Sequence, residues 1–403
     1  MSSPVLSHPV AATSRAVSID ALRSILTLLV VAHHAVLGYF LYAPPLGAFD
    51  RNLIWGAFPV IDAARAPGVD ALVLWNDSFF MALLFWVSGL FVGPSLARKG
   101  PGRFLGDRLL RLGLPFVVSA GVLAPLAYYP AYLQRAAATE AAGFVDAWLN
   151  LGRWVAGPAW FLWVLLAFSM LTAILASAAP QTFCALTRLG AWCRERPSRL
   201  VLVWAGAALA AYVPAVLFVH PMAWAGWGPF FVQTSRVGLY AVYFLFGVAL
   251  GLGGGLTRDL AAPDGPMARR WALWQAVAGL VFVGFVAVVI AVAIKGSQGV
   301  FSPAWNLAAA ALMAVSGVLT SVGLLAYVAR RRSVESPVWA SLRRNAYGIY
   351  LVHYAIVTWL QYGVLHVSLP GLAKAFIVTV AAIVLSWVLA AGLRRLPGLR
   401  AIL

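Results

Sequence analysis

Apolar residues along this chain gather into long runs rather than alternating with polar ones. Ten runs reach membrane-crossing length, at approximately 18–42, 71–93, 108–130, 158–179, 199–219, 235–255, 271–293, 304–327, 346–366 and 371–393. A helix rising about 1.5 Å per residue needs about 20 mostly apolar residues to cross a hydrocarbon core of about 30 Å. A spanning barrel would show shorter segments of alternating hydrophobicity instead. The pattern predicts an all-α integral membrane protein with about ten transmembrane helices. Residues 1–17 lack the basic start, short apolar core and cleavage site of a signal peptide, so the first run reads as a retained helix.

Charge between the runs alternates. One set of connections is basic, with Arg98, Lys99 and Arg103, then Arg188, Arg194, Arg196 and Arg199, then Arg258, Arg269 and Arg270. It continues with Arg330, Arg331, Arg332, Arg343 and Arg344, and ends with Arg394, Arg395 and Arg400. The other set, at 43–70, 131–157, 220–234, 294–303 and 367–370, is nearly neutral. Basic connections stay on the cytoplasmic side, so both termini are expected there. The chain then divides into a cytoplasmic tail (1–17), a membrane domain (18–393) and a basic cytoplasmic tail (394–403).

Composition agrees with this reading. The chain has 403 residues, 63% hydrophobic and 10% charged, against roughly half and a quarter in soluble proteins. The net charge of +17 raises the question of a nucleic-acid partner, but its confinement to one set of connections excludes one and leaves the lipid bilayer as the partner. Cys184 and Cys193 fall on the cytoplasmic side, where a disulfide is not expected. The neutral segments 43–70 and 131–157 hold Trp55, Tyr132, Trp148 and Trp154, which read either as interfacial anchors or as the lining for a sugar-like substrate.

The chemistry concentrates on the first run, DALRSILTLLVVAHHAVLGYF (20–40). Arg23 and His34 are eleven positions apart, about three turns plus roughly 20°, so they share a helix face about 16 Å apart. Asp20 lies on the same side as Arg23, and His33 points roughly 100° away from His34. Arg23 reads as a snorkelling anchor paired with Asp20 or as a functional cation near the cytoplasmic mouth. His34 reads as an interhelical hydrogen-bonding group or as a general base.

Further motifs follow in order: FFMALLFWVSGLFVGPSL (79–96), RFLGDRLLRLGLPF (103–116) with Arg108 and Arg111 three apart, GPAWFLWVLLAF (157–168) with Trp160, and NAYGIYLVHYAIV (345–357). Together with the first run, this ordered set resembles the membrane acyltransferase-3 family. The resemblance is nearest the compact branch without an appended hydrolase-like domain, which includes proteins that succinylate periplasmic glucans. It implies an O-acyltransferase of the bacterial inner membrane. Such an enzyme moves an acyl group, acetyl or succinyl, from cytoplasmic acyl-CoA to a hydroxyl of an extracytoplasmic carbohydrate or glycoconjugate. Acyl-CoA would be a co-substrate, with no permanently bound cofactor and no metal.

On that reading His34 and Arg23 are the catalytic pair, and Arg108, Arg111 and Arg23 hold the donor phosphates. The forked guanidinium group suits that task. Asn76 and Asp77, read as the start of the second helix, are either caps or acceptor contacts. Tyr347, Tyr350 and His353, spaced by three, drift around one helix face, with Tyr350, His353 and Trp160 in supporting roles. Ser88-Gly89 reads as close helix packing rather than a nucleophile. The rival class is a secondary transporter, or an acyl-group carrier, using the same intramembrane His and Arg. No paired broken helices or intramembrane carboxylate series support it.

Overall fold

The computed structural model describes residues 10–50, 56–136, 143–254, 262–300, 302–331 and 336–402. Trp55, Arg258, Arg332 and residues 1–9 of the expected tail lie outside them. Among the described residues, twelve helices of seven residues or more build the bundle. The first six are α1 (Val10–Leu37), α2 (Val69–Lys99), α3 (Pro101–Arg135), α4 (Phe144–Asn150), α5 (Trp160–Ala178) and α6 (Pro180–Arg194). The others are α7 (Pro197–Phe218), α8 (Val237–Leu252), α9 (Trp271–Ser297), α10 (Pro303–Arg330), α11 (Pro337–Gly363) and α12 (Gly371–Leu393). A hairpin not foreseen in the sequence, β1 (Trp224–Trp227) with β2 (Phe230–Gln233), closes the outer connection between α7 and α8.

Among the described residues nine helices are long and apolar enough to cross a membrane, one fewer than expected. The expected run 346–366 lies within α11. That helix has the length, about 40 Å, but Arg343, Arg344, Asn345, His353 and Gln361 dilute its apolarity. It is nevertheless packed inside the bundle against α1, α3 and α12. The first helix also begins before the expected boundary at residue 18, at Val10.

Chain chemistry accounts for the helix ends. Gly68 (φ 96°) and Gly100 (φ 74°) flank α2 in left-handed backbone that side chains disfavour. Prolines open α3, α6, α7, α10 and α11, where the missing N–H costs nothing. Where α2 crosses α8 the backbones nearly touch. A Cβ on Gly89 would lie 2.2 Å from Phe244 O, and one on Gly247 2.2 Å from Trp86 O. The Ser88 hydroxyl donates to Leu84 O within its own helix at 2.8 Å. Small residues thus set the approach of these two helices.

Helix α3 is interrupted twice by π-helical segments, Leu109–Gly113 and Ser119–Leu123. Its prolines leave carbonyls without amide partners, and three side chains supply the missing donors. In the first π segment Leu114 N–H reaches Leu109 O and the next amide would be that of Pro115; beside this break Arg111 O accepts from Tyr347 OH. In the second π segment Ala124 N–H reaches Ser119 O. The next amide in that register would be that of Pro125, and Ala120 O accepts from Trp154 Nε1 at 2.8 Å. Leu126 O, orphaned by Pro130, accepts from Trp359 Nε1 at 3.1 Å. Two of the three donors come from α11, so the irregular helix is tied to the polar one.

Candidate active site

His34 on α1 faces His353 on α11. His353 Nε2 lies 3.3 Å from His34 Nδ1. His34 Nδ1 is also 2.8 Å from Val30 O, and His353 Nδ1 is 2.5 Å from Tyr350 O. Carbonyl oxygens only accept, so both Nδ1 atoms carry the proton in the neutral rings. His353 Nε2 is therefore an acceptor, and the His34 Nδ1–H is shared between it and Val30 O. This leaves the lone pair on His34 Nε2, which makes no hydrogen bond to the described residues. Tautomers assigned in this way expose one basic nitrogen inside the bundle.

Neighbours hold the pair in place. The Tyr354 ring meets His34 edge-on at 5.0 Å, and its hydroxyl lies 3.3 Å from both Tyr128 OH and Gly56 O. Gln361 Nε2 donates to His34 O and Ala35 O at 3.0 Å each, two carbonyls of the last α1 turn that lack helical partners. Tyr350 OH donates to Pro158 O, in a short turn that reaches into the bundle. The turn depends on Gly157 at φ +55°, where a Cβ would meet the Tyr354 ring at 3.1 Å. His33 points elsewhere: its ring packs on Phe80 at 4.9 Å.

A half-open cleft with room for about one water molecule adjoins His353. Its walls are the second π segment of α3, the 156–159 turn and the α11 face carrying Tyr350, His353 and Tyr354. Ala159 lines it, whereas the neighbouring Trp160 stacks on Tyr240 at 5.4 Å.

The cationic residues singled out in the sequence sit apart from this pair. Arg23 pairs with Asp20 at 3.2 Å, both side chains more than a third exposed, about 16 Å down the helix from His34. Arg108 lies over the Phe104 ring at 5.1 Å. Next to it Lys99 pairs with Asp107. Arg111 sits one turn further along, its carbonyl tied to α11 through Tyr347. These groups mark the basic end of the bundle, and the histidines lie toward the neutral end.

Asn76 and Asp77 require a correction. They do not begin α2, which starts at Val69, so neither is a cap. Asn76 is fully buried, its Nδ2 3.4 Å from Leu29 O. Asp77 accepts from both Nη atoms of Arg236, and the nearer pair of atoms is 2.5 Å apart. Reading the sequence missed Arg236. The signal was its place at the outer end of α8, where the positive-inside rule disfavours arginine. The same signal marks Lys374, buried and 2.7 Å from Asp62, and Arg135, buried and donating to Pro59 O at 2.6 Å. Each clamps outer-end structure with a cation that the topology would otherwise exclude.

An all-α multi-pass membrane bundle is thus established, with two histidines paired in its interior. The family model described as an acyltransferase domain, that of the acyltransferase 3 family, matches residues 17–391. The chain belongs to that family and is a membrane acyltransferase. A search of the curated proteins and of the solved structures finds no match.

Proposed function

We propose that the chain is an O-acyltransferase that takes an acyl group from cytoplasmic acyl-CoA and esterifies a hydroxyl of an extracytoplasmic carbohydrate or glycoconjugate. The observation that carries this reading is His34 Nε2, which makes no hydrogen bond among the described residues, with His353 backing the ring through Nδ1. In the reaction, His34 Nε2 takes the hydroxyl proton as the oxygen attacks the thioester carbonyl carbon. The tetrahedral intermediate collapses, the C–S bond breaks, and the proton passes from the imidazolium to the leaving CoA sulfur. An ester and free CoA thiol result.

Cationic residues at the basic end fit the other half of the task. Arg108 and Arg111 engage the CoA phosphates, with Arg23 at the mouth of the α1 face, and the pantetheine arm bridges the distance to His34. The acceptor approaches from the neutral end, where Trp148, Trp154 and Tyr132 gather. Bacterial inner-membrane location follows from the same two-sided substrate supply.

His353 is a positioning residue in this scheme. It keeps His34 in the Nδ1–H tautomer and shares the charge of the imidazolium. Replacing it with alanine is expected to lower kcat by about 10–100-fold, the usual loss for an orienting partner, with KM for acyl-CoA unchanged. His353→Gln, which keeps an acceptor, is expected to restore part of kcat. Equal changes in kcat and KM, or no rescue, would make the role purely structural.

The reading as a whole is tested with purified full-length protein, envelope carbohydrate and acyl-CoA labelled in the acyl group. The label is expected on the carbohydrate, with one CoA thiol released per ester. A transporter or carrier would leave the carbohydrate unlabelled.

A further inference from the structure

The β1–β2 hairpin has no part in the chemistry above, yet it is fixed firmly to the bundle. Gln233 Nε2 and Ser235 Oγ donate to Pro221 O at 2.7 and 2.9 Å. Trp163 Nε1 on α5 donates to Phe231 O at 3.2 Å. The strands close tightly at Gly226, where a Cβ would lie 2.1 Å from Phe230 O. Trp224 projects from this frame toward α5 and stays 44% exposed. Its ring meets Trp160 at 5.8 Å with the planes 83° apart, and Trp160 stacks on Tyr240 at 5.4 Å. Two aromatic planes therefore make a corner at the outer end. Beside Tyr240, Arg236 holds Asp77, whose side chain is 33% exposed. A carboxylate has about four acceptor positions, and Arg236 fills two of them.

The aromatic residues of the neighbouring outer connections are occupied. Trp148 packs on Tyr128, Phe144 and Trp154, and Trp154 Nε1 is bonded to Ala120 O. The connection 56–66 is tied down over Tyr354, the ring that meets His34. Gly56 O accepts from Tyr128 OH and Tyr354 OH, and Lys374 pairs with Asp62. Resting on the O-acyltransferase reading above, we infer that the Trp224–Trp160 corner, with Asp77 beside it, is the acceptor subsite and takes an uncharged sugar ring. The apolar C–H face of such a ring stacks on tryptophan, and its hydroxyls donate to the carboxylate. A lipid phosphate in the same corner would bring like charge against Asp77. Trp227, 83% exposed near the hairpin tip, is left to the lipid interface.

The test uses purified full-length protein, acyl-CoA labelled in the acyl group, and envelope carbohydrate freed of its esters by mild alkali. Initial rates are followed against carbohydrate concentration at saturating acyl-CoA. Trp224→Ala is expected to raise KM for the carbohydrate about tenfold or more, the usual loss for an aromatic anchor. Its kcat and its KM for acyl-CoA stay unchanged, the signature of lost binding alone. Trp224→Phe keeps a flat ring and is expected to recover part of the loss. If Trp224→Ala fails to fold, Trp224→Leu keeps the bulk without the ring and carries the same expectation. Trp227→Ala is the control, with carbohydrate KM unchanged. An unaltered carbohydrate KM in Trp224→Ala, or an equal rise in Trp227→Ala, would overturn the subsite and leave acyl transfer standing. Absence of label from the carbohydrate with the unaltered protein would overturn the O-acyltransferase reading itself.

Discussion

Substituting alanine for His34 is expected to lower acyl transfer by about 10²–10⁴-fold, the usual contribution of a positioned general base. The protein should still fold, because the lost ring is half-buried and its Nδ1 bond to Val30 O is a local one. His33→Ala is the control. His33 points about 100° away and packs against Phe80, so its removal opens a space in the core and lowers stability without removing the base. Activity is therefore compared per folded molecule. A loss confined to His34→Ala assigns the base. A loss larger in His33→Ala than in His34→Ala would move the base to the neighbouring ring and contradict the tautomer argument.

The second large effect concerns stability. Asp77→Ala is expected to destabilise the bundle by about 3–5 kcal/mol, the cost of stranding one member of a buried ion pair. Against a total stability of about 5–15 kcal/mol for a folded domain, that is a large share. The remaining partner explains the size. The Arg236 side chain is only 6% exposed, and among the described residues Asp77 is the carboxylate that it pairs with. Asp77 is 33% exposed, so Arg236→Met leaves the carboxylate partly hydrated and should cost less. The double variant Asp77→Ala/Arg236→Met removes both charges and is expected to recover much of the loss. Melting temperatures of the three variants and the unaltered protein in one detergent decide the matter. A Tm for Asp77→Ala equal to that of the unaltered protein would show that the pair carries no stability.

Much of this architecture is legible in the chain because lipid imposes a simple demand. Every crossing must be apolar for about 20 residues and satisfy its own backbone, so the crossings announce themselves. The run in α11, 346–366, is the least apolar of the ten, because His353 and Gln361 interrupt it. His34 stands out for its spacing from Arg23, which a single helix encodes. His353 also reads from the sequence as a supporting residue, but not as the partner of His34: the two are 319 positions apart, and periodicity within one helix carries no information about which helices face each other. The Asp77–Arg236 pair, 159 positions apart, was hidden for the same reason.

A partial signal existed in each case. Arg236, Lys374 and Arg135 break the positive-inside rule at the neutral end, and such a cation needs a buried partner. The three interior prolines of α3, Pro115, Pro125 and Pro130, predict orphaned carbonyls from sequence alone. Only the packed bundle reveals that Tyr347, Trp154 and Trp359 are the donors.

The central claim is that His34 Nε2 is the base for acyl transfer across the bundle. Its most direct measurement presents labelled acyl-CoA to the cytoplasmic face of sealed vesicles and follows label into carbohydrate on the opposite face. Unaltered protein and His33→Ala are expected to label the carbohydrate, and His34→Ala to leave it unlabelled at equal folded protein. Full labelling by His34→Ala would contradict the account.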